Sequence, residues 1–292
     1  MKERPLGPGA PQVAVVGFGG MPLSIAGRPD EAVAVRTVHA ALAAGVTLLD
    51  TADVYCHDEH DIGHNERLFA RALASWSGDR SGVVVATKGG MTRLRGGWQQ
   101  NAHPTHLRAA CDRSLKALGV ERIDLYQLHA PDPAIPFVES IGVLAELQRA
   151  GKVRWIGLSN VSVEELEAAM SIVSITSVQN RLNPFFREAV REGVVAACER
   201  MAVGFLAYSP VGGGRLNLRL PAHPVLTPIA QRHGVSPHAV VLAWVIAQGR
   251  TVIPIPGART VEHATDSLAA ADVVLSAEEL DAIDRAEFSR AR

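Results

Sequence analysis

Eight short apolar runs rich in β-branched residues alternate with alanine-rich helical stretches along the 292 residues, and no Pro/Gly-rich linker separates them. The runs are continuously apolar rather than alternating, the pattern of parallel strands covered by helices. With the chain length, these observations predict an α/β fold: one (β/α)8 (TIM) barrel over 1–292 as a single domain, with an extra C-terminal helix. A doubly wound sheet, the competing fold, would usually need fewer strands or a second domain.

The expected strands are 13–20 (VAVVGFGG), 47–52 (TLLDTA), 82–90 (GVVVATKGG), 122–130 (RIDLYQLHA), 153–160 (VRWIGLSN), 174–180 (SITSVQN), 203–210 (VGFLAYSP) and 251–257 (TVIPIPG). Helical patterns fill 30–44, 64–75, 104–118, 136–150, 162–170, 187–201 and 236–248 between them. Asp30, Ser162 and Ser236 stand at plausible N-caps, the last followed by Pro237 at the first helical position. A further helix over 260–270 precedes SAEELDAIDRAEF, where Ser276 and Glu279 have capping-box spacing.

Hydrophobic content of 47% and charged content of 20% are those of a globular protein. A net charge of −1 argues against nucleic acid as a partner. No apolar run approaches signal-peptide or membrane-span length, and the three cysteines are too scattered for a disulfide framework, so a cytoplasmic protein with no membrane partner is expected. A nucleotide fingerprint in VVGFGGMP fails, because Gly17-x-Gly19 is followed by Pro22 where a third glycine belongs.

In such a barrel, polar residues that end apolar strands face the active-site mouth. Here they are Asp50, Lys88, His129, Ser159 with Asn160, Gln179 and Tyr208. An acid and a lysine on neighbouring strands are costly to bury alone and much less so as a pair. Tyr55 lies on the loop leaving the second strand, where its phenol can reach back over the mouth. A nearby ammonium favours phenolate, so Lys88 is expected to lower the pKa of Tyr55, with Asp50 holding Lys88 charged. His129 would hydrogen-bond a substrate carbonyl beside the phenol.

The same stretch carries His57-x-x-His60-x-x-x-His64 beside Cys56, which has the look of a zinc cage. A fourth ligand and its supporting shell cannot be identified, so a polar loop is expected and no metal. An exposed Cys56 thiol would be open to oxidation.

Asp50, Tyr55, Lys88 and His129, on strands two, three and four, resemble the catalytic tetrad of the aldo-keto reductases. The resemblance runs through GVTLLDTADVY, GHNERLFARAL, VVVATKGG, SLKALGVERIDLYQLHAPDP, LQRAGKVRWIGLSN, SVQNRLNP, LAYSP and VIPIPGAR, nearly the whole chain. It implies an NADPH-dependent reductase that converts aldehyde or ketone carbonyls of small molecules to alcohols. By the same resemblance Ser159, Asn160 and Gln179 hold the nicotinamide carboxamide and Tyr208 stacks on the ring. Ser209, Pro210, Gly212 and Gly214 after strand seven, and Gly257 with Arg259 after strand eight, occupy the phosphate-binding quarter of the barrel. Arg259 would pair with an adenosine 2′-phosphate, and Asp266 would lie against the adenine. Ala258 departs from the Ser or Thr common in relatives, and Asp266–Ser267 from their Glu-Asn.

Two rivals remain at this stage. Barrels resembling this one serve as cofactor-sensing subunits of potassium channels, and Lys88 could form a Schiff base in an aldolase. A substrate pocket would draw on 21–27, the histidine loop, 91–100 and 181–186. Trp98 would be a wall of it or an ordinary surface or core residue, and Arg93 with Arg95 would suit an anionic substrate or simply be solvated.

Overall fold

The computed structural model describes residues 2–289; residues 1 and 290–292 of the predicted domain lie outside the described residues. Strands β1 (Phe18–Gly19), β2 (Leu48–Asp50), β3 (Val84–Gly89), β4 (Ile123–Leu128), β5 (Val153–Ser159), β6 (Ser177–Arg181), β7 (Gly204–Tyr208) and β8 (Val252–Pro254) pair in parallel, each with the next in the chain. The sheet closes on itself: Gly17 N–H donates to the Pro254 carbonyl and Gly19 N–H to that of Pro256, both at 2.9 Å. This is the predicted barrel.

Strand periodicity divides the side chains between two cores. Leu48, Val84, Ala86, Leu125, Leu206 and Ile253 fill the barrel interior. Tyr126, Leu128, Ile156, Val178 and Phe205, from the alternate positions, face the helical layer. That layer holds α1 (Glu31–Ala43), α2 (His64–Ser75), α3 (Pro104–Leu118), α4 (Phe137–Arg149), α5 (Val163–Met170), α6 (Glu188–Arg191), α7 (Val194–Arg200), α8 (Gly213–Leu216), α9 (Leu226–His233), α10 (Pro237–Ala247), α11 (Val261–Leu268) and α12 (Ala277–Arg285).

Several expectations change. The single run 13–20 is two pieces: Gln12–Ala14 pairs antiparallel with Glu3–Pro5, and only Phe18–Gly19 joins the barrel. That hairpin plugs the barrel floor with Leu6 and Val13. It docks so closely that a Cβ on Gly204 would stand 2.1 Å from the Leu6 carbonyl oxygen. The helix expected over 187–201 breaks at Gly193, which is left-handed at φ 79°. Ser162, Ser236 and Ser276 cap their helices, the first and last through complete capping boxes, whereas the Asp30 side chain makes no capping bond. The extra C-terminal helix is α12, tied to the barrel by the Trp244 indole N–H donating to Asp284 at 2.9 Å.

Candidate active site

The inward positions of β2, β3 and β4 converge at the mouth. Lys88 is fully buried, and its ammonium donates to the Asp50 carboxylate at 2.6 Å, the Thr51 carbonyl at 3.0 Å and the Tyr55 hydroxyl at 3.0 Å. A second pair of donors meets Asp50 from further round the barrel. The amides of Gln179 and Gln127 reach its other oxygen at 2.8 and 3.2 Å. His129 completes the group, its ring 5.8 Å from that of Tyr55 and nearly perpendicular to it at 84°.

The electrostatics correct one expectation. Burial raises the Tyr55 phenol above its ordinary range, and Lys88 pulls it back only in part. The phenol therefore stays protonated at neutral pH. Burial opposes the charge on Lys88, but Asp50 and Tyr55 outweigh it and lift the ammonium above the usual lysine value. Burial, with the Lys88 charge added, pulls His129 well below its usual value, so the imidazole is neutral.

Around the rest of the mouth, Ser159 and Gln179 are buried side by side in register on β5 and β6. Asn160 follows β5 with the left-handed φ of 59°. Its amide donates to the His129 carbonyl at 3.0 Å and to the Ser159 hydroxyl at 3.1 Å, and its oxygen accepts from the Tyr208 hydroxyl at 2.8 Å. Asn160 is thus a brace that fixes the Tyr208 ring. Ser209 is also left-handed, at φ 48°, and turns the chain through buried Pro210 into the glycine run. Gly212 N–H is taken by the Ser209 carbonyl at 2.9 Å, and no heavy atom lies within 4 Å of where a Cβ on Gly214 would stand.

Two residues expected at the cofactor also make hydrogen bonds within the protein. Arg259 donates to the carbonyls of Pro22 at 3.2 Å and Ala26 at 2.9 Å, tying the loop after β1 to exposed Gly257 and its neighbours. Asp266 accepts from Ser236, the cap of α10, at 2.7 Å.

In the histidine stretch, His57 and His60 point to solvent, while His64 bonds the Ser24 hydroxyl through Nδ1 at 2.8 Å. Among the described residues no three His, Cys, Asp or Glu side chains gather closely enough to hold a metal. Cys56 is buried, not exposed, and burial pushes its thiol up to about 11. It is a poor nucleophile. Arg93, expected to meet an anion with Arg95, is buried and bound to backbone carbonyls instead.

Sequence reasoning missed Gln127 and did not find the backbone role of Arg93. Gln127 carried a signal, an amide two residues before His129 and so on the same strand face. Nothing in the sequence signals the role of Arg93, because a loop arginine reads as solvated or anion-binding until the loop's path is known.

A closed parallel barrel with a lysine–carboxylate pair and a phenol at its mouth belongs to the (β/α)8 enzymes. Residues 15–287 match the model of the aldo/keto reductase family, and the chain belongs to that family of oxidoreductases. A probable aldo-keto reductase from Glycine max is 32% identical over 92% of this chain and 84% of its own. The glycerol dehydrogenase of Gluconobacter oxydans superposes with a TM-score of 0.83 at 29% identity, over 95% of this chain and 93% of that one. An aldo-keto reductase from Klebsiella pneumoniae, solved in complex with NADPH, gives 0.80 at 26% identity, over 98% and 95%. Among the described residues no helix is long and apolar enough to cross a membrane.

Proposed function

We propose that this chain reduces small aldehydes or ketones with NADPH, Tyr55 serving as the general acid. The observation that carries this reading is the Tyr55 hydroxyl held 3.0 Å from a fully buried ammonium. Bound NADPH would supply a hydride to the carbonyl carbon. Tyr55 gives its proton to the oxygen as negative charge develops there, and Lys88 stabilises the phenolate left behind. Asp50 keeps Lys88 charged and aimed. His129, neutral, offers its single N–H to the same oxygen; its Nδ1 is buried with no partner among the described residues.

The residues present fit the cofactor. Gln179 spends its amide nitrogen on Asp50 and Gln127, which leaves its oxygen for a carboxamide N–H. Ser159 would join it there, and Tyr208, braced by Asn160, offers a flat face. The open backbone at Gly214 suits a pyrophosphate, with Ser209, Pro210, Gly212 and Gly257 shaping its surroundings. Arg259 spends two of its five N–H donors on the Pro22 and Ala26 carbonyls and could meet a 2′-phosphate with the others, and Asp266 has one carboxylate oxygen on Ser236 and its other to offer the adenine. NADPH in the Klebsiella relative supports this choice of cofactor.

The aldolase rival is disfavoured because all three ammonium hydrogens of Lys88 are engaged and its charge is reinforced, the opposite of a free amine. Tyr55→Phe tests the proposal. Turnover of an aldehyde panel is expected to fall by about 10²–10⁴-fold, with NADPH affinity by fluorescence titration unchanged. Normal turnover in that variant would end the assignment.

A further inference from the structure

After β3 the chain forms a small hairpin, Met91–Thr92 against Gln99–Gln100, whose tip covers the loop that carries Tyr55. Arg93 lies within this tip and is only 6% exposed. Its guanidinium donates to the carbonyls of Cys56 at 3.0 Å, His57 at 2.9 Å and Gly96 at 2.6 Å. Cys56 and His57 are the two residues that directly follow Tyr55. Among the described residues no other hydrogen bond reaches their carbonyls. The same guanidinium stacks on the Trp98 ring at 4.0 Å, and that indole meets the Tyr55 ring edge-on with centroids 6.3 Å apart.

These contacts form a closed circuit: Arg93 to the backbone beyond Tyr55, Arg93 to Trp98, and Trp98 to the phenol ring. On the near side of Tyr55 the chain is already fixed, since Lys88 bonds the Thr51 carbonyl and the Asp53 N–H donates to the Lys88 carbonyl at 3.3 Å. On the far side the Cys56 thiol bonds the Val54 carbonyl at 3.3 Å and the Asp58 carbonyl at 3.2 Å within the loop, and Arg93 ties the loop's backbone to the hairpin. The Arg95 N–H adds a weaker stitch at the tip, donating to exposed Glu59 at 2.6 Å.

We propose that Arg93 is a positioning residue for the acid step: by gripping the backbone after Tyr55 and holding Trp98 against its ring, it fixes where the phenol hydroxyl points. Trp98, 44% exposed, is then the part of this assembly that a substrate meets. Flat, apolar carbonyl compounds such as aromatic aldehydes suit that indole face better than anionic ones, because the arginine charge beneath it is spent on carbonyls. This inference rests on Tyr55 being the general acid.

A guanidinium is needed, because three carbonyls in a fork and a stacked ring call for a planar group with several N–H donors. A lysine ammonium is a compact donor that cannot do both. Misplacing a reacting group by an ångström costs on the order of 10²-fold, so Arg93→Met is expected to lower kcat about 10- to 100-fold. NADPH affinity should stay within about twofold, since Arg93 lies on the phenol side of the mouth.

The experiment measures kcat, KM for an aromatic aldehyde and NADPH affinity in wild type, Arg93→Met, Arg93→Lys, Arg93→Ala and Tyr55→Phe. The expected result is a fall in kcat at near-constant NADPH affinity, with partial recovery of Arg93→Ala by added guanidinium at sub-denaturing concentration. Loss of fold alone would not be rescued in this way. Arg93→Lys keeps the charge and most of the volume, and it carries the test if the methionine variant does not fold. Unchanged kcat in the arginine variants while Tyr55→Phe is inactive would overturn the positioning role alone. So would a loss that guanidinium does not rescue and that NADPH affinity shares. Activity in Tyr55→Phe would instead overturn the acid assignment beneath it.

Discussion

The Lys88 ammonium lies over the Tyr55 ring, 4.8 Å from its centroid, while donating to its hydroxyl at 3.0 Å. One buried cation thus meets both the face and the oxygen of the same side chain. The ring contact favours the ammonium whatever the phenol's protonation state, and the oxygen contact strengthens once the proton has left. Lys88 therefore does more for the phenolate than for the phenol, which is the differential the proposed proton-donor role of Tyr55 needs.

Stability and turnover should separate when this pair is dismantled. Lys88→Met leaves Asp50 as a buried charge with only the amides of Gln127 and Gln179 against it. The loss is expected to be about 3–5 kcal/mol. Adding Asp50→Asn removes the stranded charge and should recover most of that in denaturant melts. Turnover should stay low in both variants, because neither has a cation to receive the phenolate. Recovery of activity in the double variant would sink this account.

Gly89, next to Lys88, has no room for a methyl group. A Cβ there would stand 2.0 Å from the Tyr126 hydroxyl and 3.3 Å from Ala110. Gly89→Ala should destabilise by about 1–3 kcal/mol and lower turnover by shifting the end of β3. The Tyr126 hydroxyl is buried without a partner among the described residues, so Tyr126→Phe alone should be neutral or stabilising. In a double-mutant cycle Tyr126→Phe should rescue part of the alanine defect. The rescue is only partial, because the ring carbon bearing the hydroxyl is itself 2.9 Å from the added methyl. Strict additivity would show that the two sites do not clash.

The barrel was legible because buried parallel strands must be apolar on both faces, which marks them off from amphipathic helices. The residues at their C-terminal ends were legible for a related reason: Asp50, Lys88 and His129 interrupt runs that otherwise tolerate no charge. What was missed depends on partners distant in sequence. Glu3–Pro5 is too short and polar to read as a strand until it meets Gln12–Ala14. The net direction of the Tyr55 shift was misjudged because residue types reveal the Lys88 charge, whereas desolvation depends on the packing of the whole mouth. The family resemblance set Arg259 and Asp266 against the cofactor, and only the fold adds the carbonyls and the serine that they also engage.

Acid should weaken the fold partly through His129. Its pKa in the folded protein lies well below the ordinary 6.5, because burial and Lys88 disfavour the imidazolium. Below about pH 6.5 the unfolded chain takes up a proton that the folded one refuses. Stability is thus full above that pH and falls as pH drops toward the folded-state value, by up to about 1.4 kcal/mol per pH unit for this one group. His64 and His106 are lowered too, burial being the first cause in each, and they act in the same sense. The difference between wild type and His129→Gln therefore isolates the residue: urea melts at about pH 7.5 and 5.5 should show a shallower acid loss in the variant. Parallel losses would mean that His129 is charged in the folded state.

Asp53 should act in the opposite direction. It is 1% exposed, both its carboxylate oxygens lack partners among the described residues, and the Arg113 guanidinium comes no closer than 3.9 Å. Burial, and then the nearby Glu66 charge, raise it well above the ordinary carboxylate range. The folded protein thus keeps a proton that the unfolded chain gives up, so the contribution is complete below about pH 3.8 and is lost as pH rises toward the folded-state value. Asp53→Asn carries no such penalty. Its backbone bonds, from the N–H to the Lys88 carbonyl and from Gly63 to its own carbonyl, do not need the carboxylate. The variant is expected to melt above wild type near pH 8 by about 2–4 °C for each kcal/mol regained. That advantage should shrink toward pH 4, with turnover largely preserved. A variant weakened equally at every pH would show that the carboxylate is satisfied by ordered water, and that it holds the Tyr55 loop rather than straining it.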